Sequence, residues 1–256
     1  MNNISKNSVV SPKATLGDNI TIKDFTTIED DVILKDNIEI GTNVVIHSGT
    51  RIDSGNRIFH SAVLGSEPHD LKFKGEYTTL EIGKNNVIRE FSTISRGTNF
   101  RKKTAIGNDN YLMAYVHIPH DTIIGNHVIL SNAVNMGGHV TIEDWAIVGG
   151  MVGVHQFTRI GEHSFIAFLA RVTQDVPPYI LAGGNPLKYK GLNIIGLKRR
   201  GFSEDVISKI KKTYNLIYNS KYNISDALKA VKEFIEPIAE VKKIIEFIET
   251  SERGII

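Results

Sequence analysis

One aliphatic residue recurs at every sixth position along two thirds of the chain. The series opens with Ile4, Val10, Leu16, Ile22, Ile28 and Leu34, and closes with Val148, Val154, Ile160, Ile166 and Val172. Of its 29 positions only Asp70, Glu76 and Phe100 are neither aliphatic nor Met, and the phase is the same on both sides of these breaks. A period of six fits neither an α-helix nor an ordinary strand. It is the pattern of a hexapeptide β-helix, in which each hexad forms one short strand and a turn and sends its aliphatic side chain inward. Four residues after the aliphatic the side chain is mostly small or β-branched, as at Ala14, Thr26, Val44, Ala62, Ser92 and Ala146. Such residues fit a narrow interior and an extended backbone. Gly and Asn follow in stretches such as Leu16-Gly17-Asp18-Asn19, where tight turns need permissive φ.

Three hexads close one triangular coil, so residues 18 apart stack at the usual inter-strand spacing of about 4.8 Å. Leu64 and Ile82 are 18 apart where six is the rule, and Ile94 and Ile106 are 12 apart. Segments 65–81 and 99–105 are therefore expected as loops thrown out from corners, and long loops on a rigid scaffold commonly carry function. The repeat ends near Pro177-Pro178, and Gly183-Gly184-Asn185-Pro186 reads as a turn-rich junction. Beyond it Ser203 is expected to cap one helix and Ser225 another, with a last helix after Pro237. The reading is mainly β: a parallel β-helix of about ten coils over 1–187, then a small α-helical domain over 188–256.

The chain has no cysteine, which excludes disulfides, Cys-based zinc sites and a thiol nucleophile. It opens Met1-Asn2-Asn3-Ile4 without a basic or apolar leader, and no apolar run reaches membrane-spanning length. These features predict a soluble, cytoplasmic protein with no transmembrane segment. A net charge of +2 gives no reason to expect nucleic-acid binding, although Lys188, Lys190, Lys198, Arg199 and Arg200 form a local basic cluster that suits an acidic ligand.

Chemistry concentrates at His117-Ile118-Pro119-His120-Asp121. Steps of 18 carry His120 to Gly138 and Gln156, Asp121 to His139, and Gly137 to His155. One corner of three successive coils thus gathers His120, Asp121, Gly138, His139, His155 and Gln156. An imidazole can act as general base near neutral pH, and an adjacent carboxylate can hold its tautomer. Gly138 would let a carbonyl approach its backbone N–H as an oxyanion contact. No Ser or Cys stands beside the base, which favours direct attack by a bound substrate group over a covalent enzyme intermediate. Zinc held by clustered histidines is the rival reading, and the His–Asp neighbour pair with the stacked Gly and Gln suits acyl transfer better than a metal. His47, His60, His127 and His163 read as solvated or interface residues.

Beyond these residues the chain resembles the UDP-N-acetylglucosamine O-acyltransferases, hexapeptide-repeat acyltransferases that perform the first step of lipid A biosynthesis. The resemblance is carried by Asp70-Leu71-Lys72, Ile88-Arg89-Glu90, His117 to Asp121, Gly138-His139-Val140, Val154-His155-Gln156-Phe157, Gln174 to Tyr179 and Gly196 to Phe202, and it runs nearly end to end. It implies a left-handed coil and a homotrimer with clefts between subunits; exterior apolar residues such as Phe25, Met113 and Trp145 are compatible with such packing. It also implies transfer of a (R)-3-hydroxyacyl chain from acyl carrier protein, on its phosphopantetheine arm, to the sugar 3-hydroxyl, with no metal or other cofactor. In that reading His120 is the base, Asp121 orients it and Gly138 N–H stabilises the oxyanion. Asp70 hydrogen-bonds the sugar, and Lys72 lies near the phosphates or the donor. His117, His139, His155 and Gln156 line the cleft, while Asn193, Arg199 and Arg200 reach the nucleotide. Lys209, Lys211 and Lys212 could steer the acidic carrier protein.

Two departures stand out. Ser95 lies where the family often has histidine, and Ile195 replaces a nucleotide-contacting glutamate. Phe168 aligns with a glycine that admits long acyl chains in relatives, so a shorter donor chain is expected here. The alternatives are the same transfer to a 3-amino sugar, a coenzyme A acetyltransferase, and a non-catalytic scaffold.

Overall fold

In the computed structural model, which describes residues 1–256, the six-residue ladder is a three-sided prism. Its faces are sheets of 11, 9 and 8 strands, parallel throughout except for one closing hairpin. The first face contains Ile129–Leu130, the second His117–Ile118 and the third Ile123–Ile124. Most strands are two residues long: the first side chain points out and the aliphatic points into the core. Ile22, Ile40, Leu64, Ile94, Leu130 and Ile166 are all at most 1 % exposed. This inward column nucleates a continuous cluster of 53 buried apolar residues that extends into the helical tail.

The coil arithmetic holds where the repeat is unbroken. Ile106 pairs with Ile124, Ile124 with Ile142, and Ile142 with Ile160, each 18 apart. Across the insertions Leu64 pairs with Ile94 and Ile94 with Ile118. The ejected segments differ in extent from the sequence expectation. The strand Val63–Ser66 runs into the expected first loop and Thr79–Ile82 begins inside it, leaving 67–78 as loop. The second segment is 96–102, because Thr93–Ser95 ends earlier and Lys103–Ile106 starts earlier than the aliphatic ladder alone indicates. Both loops leave the prism at the edge between the second and third faces.

Inside the enlarged coils an asparagine ladder replaces apolar filling. Asn56 Oδ1 accepts from Asn86 N at 2.9 Å, Asn86 Oδ1 from Asn110 N at 2.9 Å, and Asn110 Oδ1 from Val128 N at 2.7 Å. All three asparagines are at most 1 % exposed, and their amides donate to turn carbonyls such as Gly83 O and Gly125 O. Buried polar groups are tolerated when their partners are supplied in this way.

The corner residue three after most of the inward aliphatics takes the left-handed conformation. Asn19, Asn37, Asn43 and Asn85 do so, and so do Asp121 (φ 57°), His139 (φ 63°) and Phe157 (φ 62°). The third–first edge stacks its corner side chains: His127 on Trp145 at 3.9 Å, then Trp145 and His163 at 6.1 Å, then His163 and Tyr179 at 5.7 Å. Trp145 is thus half-buried under the tail rather than presented on an outer face.

The tail begins with the antiparallel hairpin Ile180–Gly183/Lys188–Leu192, so the 187/188 boundary falls inside a unit hydrogen-bonded to the first face. Four helices follow: α1 Ile194–Arg199, α2 Glu204–Tyr218, α3 Ile224–Phe234 and α4 Ala239–Glu249. Ser203 caps α2 as expected, its Oγ accepting from Val206 N at 3.2 Å. The cap of α3 is Asn223 and not Ser225: Asn223 Oδ1 accepts from Asp226 N, and Asn223 Nδ2 donates to Asp226 Oδ2, each at 2.9 Å. The first bond caps one helix-end N–H, and the second, between side chains, holds the capping amide in place. No helix is long and apolar enough to cross a membrane.

The Gln174 to Tyr179 stretch clasps this tail to the prism. Ser251 Oγ donates to Asp175 Oδ2 at 2.7 Å, and Tyr214 Oη donates to Pro178 O at 2.6 Å. His163 lies in the same junction, edge-on to Phe202 at 5.0 Å. Burial and the nearby Arg200 guanidinium push its pKa down to about 4 from the ordinary 6.5. As pH falls the unfolded chain is therefore protonated first. The stability contributed by a neutral His163 is intact above about pH 6.5 and is lost as pH falls through about 4. Denaturation curves should show a steeper stability loss across that window in the wild type than in His163→Phe. Parallel curves would remove His163 as the cause.

Candidate active site

The second–third edge brings together the corner that the 18-residue step indicates. His120 is 9 % exposed and Asp121 fully buried. His120 Nδ1 lies 2.8 Å from Asp121 Oδ2, which fixes Nδ1 as the protonated nitrogen and leaves Nε2 as a lone-pair base. The carboxylate takes its other bonds from the second ejected loop. Thr98 Oγ1 donates to Oδ2 at 2.6 Å, while Thr98 N and Arg101 N each donate to Oδ1 at 3.0 Å. Burial alone would raise this carboxyl, but the His120 bond and the three loop donors outweigh it and hold it well below the usual carboxylate range. Asp121 is thus an anion throughout the neutral range.

Gly138 lies directly over the imidazole. A Cβ built there would meet His120 Cε1 at 2.5 Å and Nε2 at 2.7 Å, so no larger residue fits while His120 keeps its place. Its N–H is free as well, as are those of His120 and Gln156 at the same edge. At the third–first edge the corresponding N–H is instead capped from the next coil: Asn108 N by Asn126 Oδ1 and Asn126 N by Asp144 Oδ1, both at 2.8 Å. Gly138 N–H donates to no backbone carbonyl, and no side chain caps it. A free donor stands beside a free base.

The surroundings are aromatic. His139 stacks face to face on Phe157 at 4.3 Å and meets the edge of Phe100 at 4.6 Å. Its Nδ1 is 3.8 Å from Asp121 Oδ2. Burial lowers its pKa, with the Asp121 charge opposing and His120 and Arg101 adding to the fall. His117 Nδ1 is 2.7 Å from Thr93 Oγ1, and its ring stacks on His69 at 5.4 Å. Its pKa also falls, first through burial and then through the two neighbouring imidazoles. Both rings are held neutral; His117 is hydrogen-bonded, whereas His139 Nδ1 is buried without a hydrogen-bond partner.

Loop 67–78 places Asp70 and Lys72 on a cleft shared with Phe73, Phe100, His139 and Phe157. It is held by Tyr77 Oη donating to Asp31 Oδ2 at 3.1 Å and by the Arg96 guanidinium 5.4 Å over the Phe73 ring. His155 and Gln156 are exposed at the same edge, with His155 Nδ1 3.0 Å from Gln156 O. His120, Asp121 and His139 also bring one potential metal-ligand atom each within 4.8 Å of one another. The Asp121 oxygens are already engaged by four donors, an arrangement that orients a base and does not leave ligand positions open.

Three predicted residues lie elsewhere on the chain. Asn193 caps α1, accepting from Gly196 N at 3.2 Å and donating to His163 O at 3.0 Å. Arg200 lies 5.1 Å over the Trp145 ring and donates to Trp145 O at 3.1 Å; one guanidinium nitrogen is buried without a partner. Arg199 is exposed beside them. All three belong to the third–first edge, away from His120. Phe168 lies on the first–second edge, 61 % exposed, its ring over Gly150. Ser95 is fully buried and 3.3 Å from Ser66 Oγ, so it does not stand in for a cleft imidazole. His69 presents the additional ring instead. It is absent from the 18-residue arithmetic because it sits in a loop, and its only sequence signal is adjacency to Asp70.

A three-sided prism of hexads with an Asp-oriented histidine and a free N–H at one corner defines a hexapeptide-repeat acyltransferase. Residues 103–138 match the bacterial transferase hexapeptide model, and residues 175–256 match the second domain of UDP-N-acetylglucosamine O-acyltransferase. An acyl-[acyl-carrier-protein]–UDP-N-acetylglucosamine O-acyltransferase of Burkholderia lata is 44 % identical over 204 residues, 78 % of each chain. A UDP-N-acetylglucosamine acyltransferase from Bacteroides fragilis superposes with a TM-score of 0.98 at 47 % identity over 99 % of each chain. Its Francisella novicida counterpart gives 0.96 at 39 % identity, over 99 % of this chain and 93 % of that one. The chain belongs to the UDP-N-acetylglucosamine O-acyltransferase family.

Proposed function

We propose that the protein transfers a (R)-3-hydroxyacyl chain from acyl carrier protein to the 3-hydroxyl of UDP-N-acetylglucosamine, the first step of lipid A biosynthesis. The observation that carries this reading is the pairing of His120, oriented by Asp121 at 2.8 Å, with the uncapped Gly138 N–H beside it. His120 Nε2 removes the hydroxyl proton as the sugar oxygen attacks the thioester carbonyl. The new C–O bond places negative charge on the carbonyl oxygen, where Gly138 N–H donates. Collapse breaks the C–S bond, and the proton held by His120 passes to the departing phosphopantetheine thiolate. No enzyme nucleophile and no resident metal or cofactor is needed.

Asp70 and Lys72 approach the acceptor from loop 67–78, with His117, His139, His155 and Gln156 lining the cleft. Asn193, Arg199 and Arg200 sit on a different edge of the same chain, so they serve a nucleotide at this corner only if a second copy presents them. Phe25, Phe91, Tyr115, Met151 and Leu169 leave apolar rings and chains exposed along the first–second edge. Both features support a homotrimer with clefts between subunits. Substrates that are a sugar nucleotide and a carrier protein fit a cytoplasmic enzyme.

The test is mass spectrometry of product from UDP-N-acetylglucosamine and a ladder of 3-hydroxyacyl carrier proteins, with the 3-amino sugar and acyl coenzyme A as parallel arms. Sole turnover of either parallel arm would replace the reading. In the same assay Phe168→Gly is expected to move the preferred donor to longer chains, because it removes a ring that a second copy would present to the acyl end of the cleft. An unchanged optimum would leave Phe168 as packing only.

A further inference from the structure

We propose that Thr98 is a positioning residue for the His120–Asp121 pair, and that loop 96–102 works as a clamp on the base rather than as a substrate loop. The inference rests on the base assignment above and deepens it. Asp121 is fully buried and Thr98 is 6 % exposed, so no solvent competes for their bond. Thr98 gives the carboxylate two donors, its backbone N–H to Oδ1 at 3.0 Å and its hydroxyl to Oδ2 at 2.6 Å. Oδ2 is the oxygen that also receives His120 Nδ1. The hydroxyl therefore shares the acceptor atom on which the imidazole's orientation depends.

The rest of the loop reinforces the same grip. Arg101 N donates to Oδ1 at 3.0 Å and Arg101 Nη1 to the Asp121 carbonyl at 3.0 Å. Thr98 Oγ1 also accepts from Phe100 N at 3.2 Å, which sets the ring that meets His139 edge-on. Asn99 N donates to Glu76 Oε1 at 3.3 Å, tying this loop to the one that carries Asp70. Thr98 thus links the carboxylate and the aromatic wall, and its neighbour Asn99 adds the acceptor loop.

Removing the hydroxyl has a definite sign. Oδ1 stays held by two N–H groups, so the carboxylate remains in place, while Oδ2 keeps only His120 as a close donor. Freed from one anchor, the pair spends less time aligned. Thr98→Val should lower kcat by about tenfold, the scale of one hydrogen bond to an ionised acceptor, with KM for the sugar nucleotide near wild type. Thr98→Ser should restore kcat. Thr98→Ala serves in place of valine should the larger side chain unfold the protein.

The proposal is overturned by wild-type kcat in the variants, by a loss confined to KM, or by failure of serine to rescue. The His120 Nδ1–H proton resonance, read by NMR in wild type and variants, gives an arm independent of turnover. A shift on losing the hydroxyl supports the clamp, and an unchanged resonance overturns it. Wild-type protein that shows the resonance but no acyl transfer would instead sink the base assignment.

Discussion

His120→Ala is expected to lower kcat by roughly 10²- to 10⁴-fold, the range over which a positioned general base contributes. The fold should survive. Asp121 keeps its three loop donors from Thr98 and Arg101, so the variant does not leave a bare buried anion. The imidazole itself is a corner side chain and not part of the inward aliphatic column. The loss should therefore appear in kcat and kcat/KM together, with KM for the sugar nucleotide little changed. Steady-state kinetics with 3-hydroxyacyl carrier protein, alongside a melting curve, check this. Full activity in a folded variant would refute the assignment of the base.

The corner was legible in sequence because the fold makes distance a matter of counting. With one aliphatic per six residues and three hexads per coil, His120 and Gly138 had to meet, and the steric gap at Gly138 is the physical trace of that meeting. The same counting fails where the coil is enlarged. Thr98 and Arg101 reach Asp121 across 23 and 20 residues, through a loop that the period does not describe. His69 is invisible for the same reason. The stretch around residues 193–202 is hard to read in another way. A sequence cannot distinguish an arginine free for phosphate from one half-buried over Trp145, nor a ligand asparagine from a helix cap. At the 187/188 boundary the chain adds an antiparallel hairpin to the first face after the aliphatic period has ended, a step the period does not describe.

Gly138→Ala is expected to abolish most activity by a route that leaves the chemistry of every side chain untouched. The backbone at Gly138 does not take a positive φ, so alanine brings no intrinsic backbone strain, only a methyl group. That methyl would lie 2.5 Å from His120 Cε1, a separation that forces the ring to move. The ring cannot retreat while Nδ1 is bound to Asp121 and Asp121 is bound by loop 96–102. It must leave either the carboxylate or the line of attack, and the same shift crowds the donor N–H from the developing oxyanion. A fall in kcat of about 10²- to 10³-fold follows, on the scale of removing one oxyanion donor. Coupling to His120 makes the prediction specific. In His120→Ala the ring is gone, so adding Gly138→Ala should bring almost no further loss of activity or of Tm, whereas independent sites would add. A double variant whose losses sum would show that Gly138 acts on something other than the imidazole above which it lies.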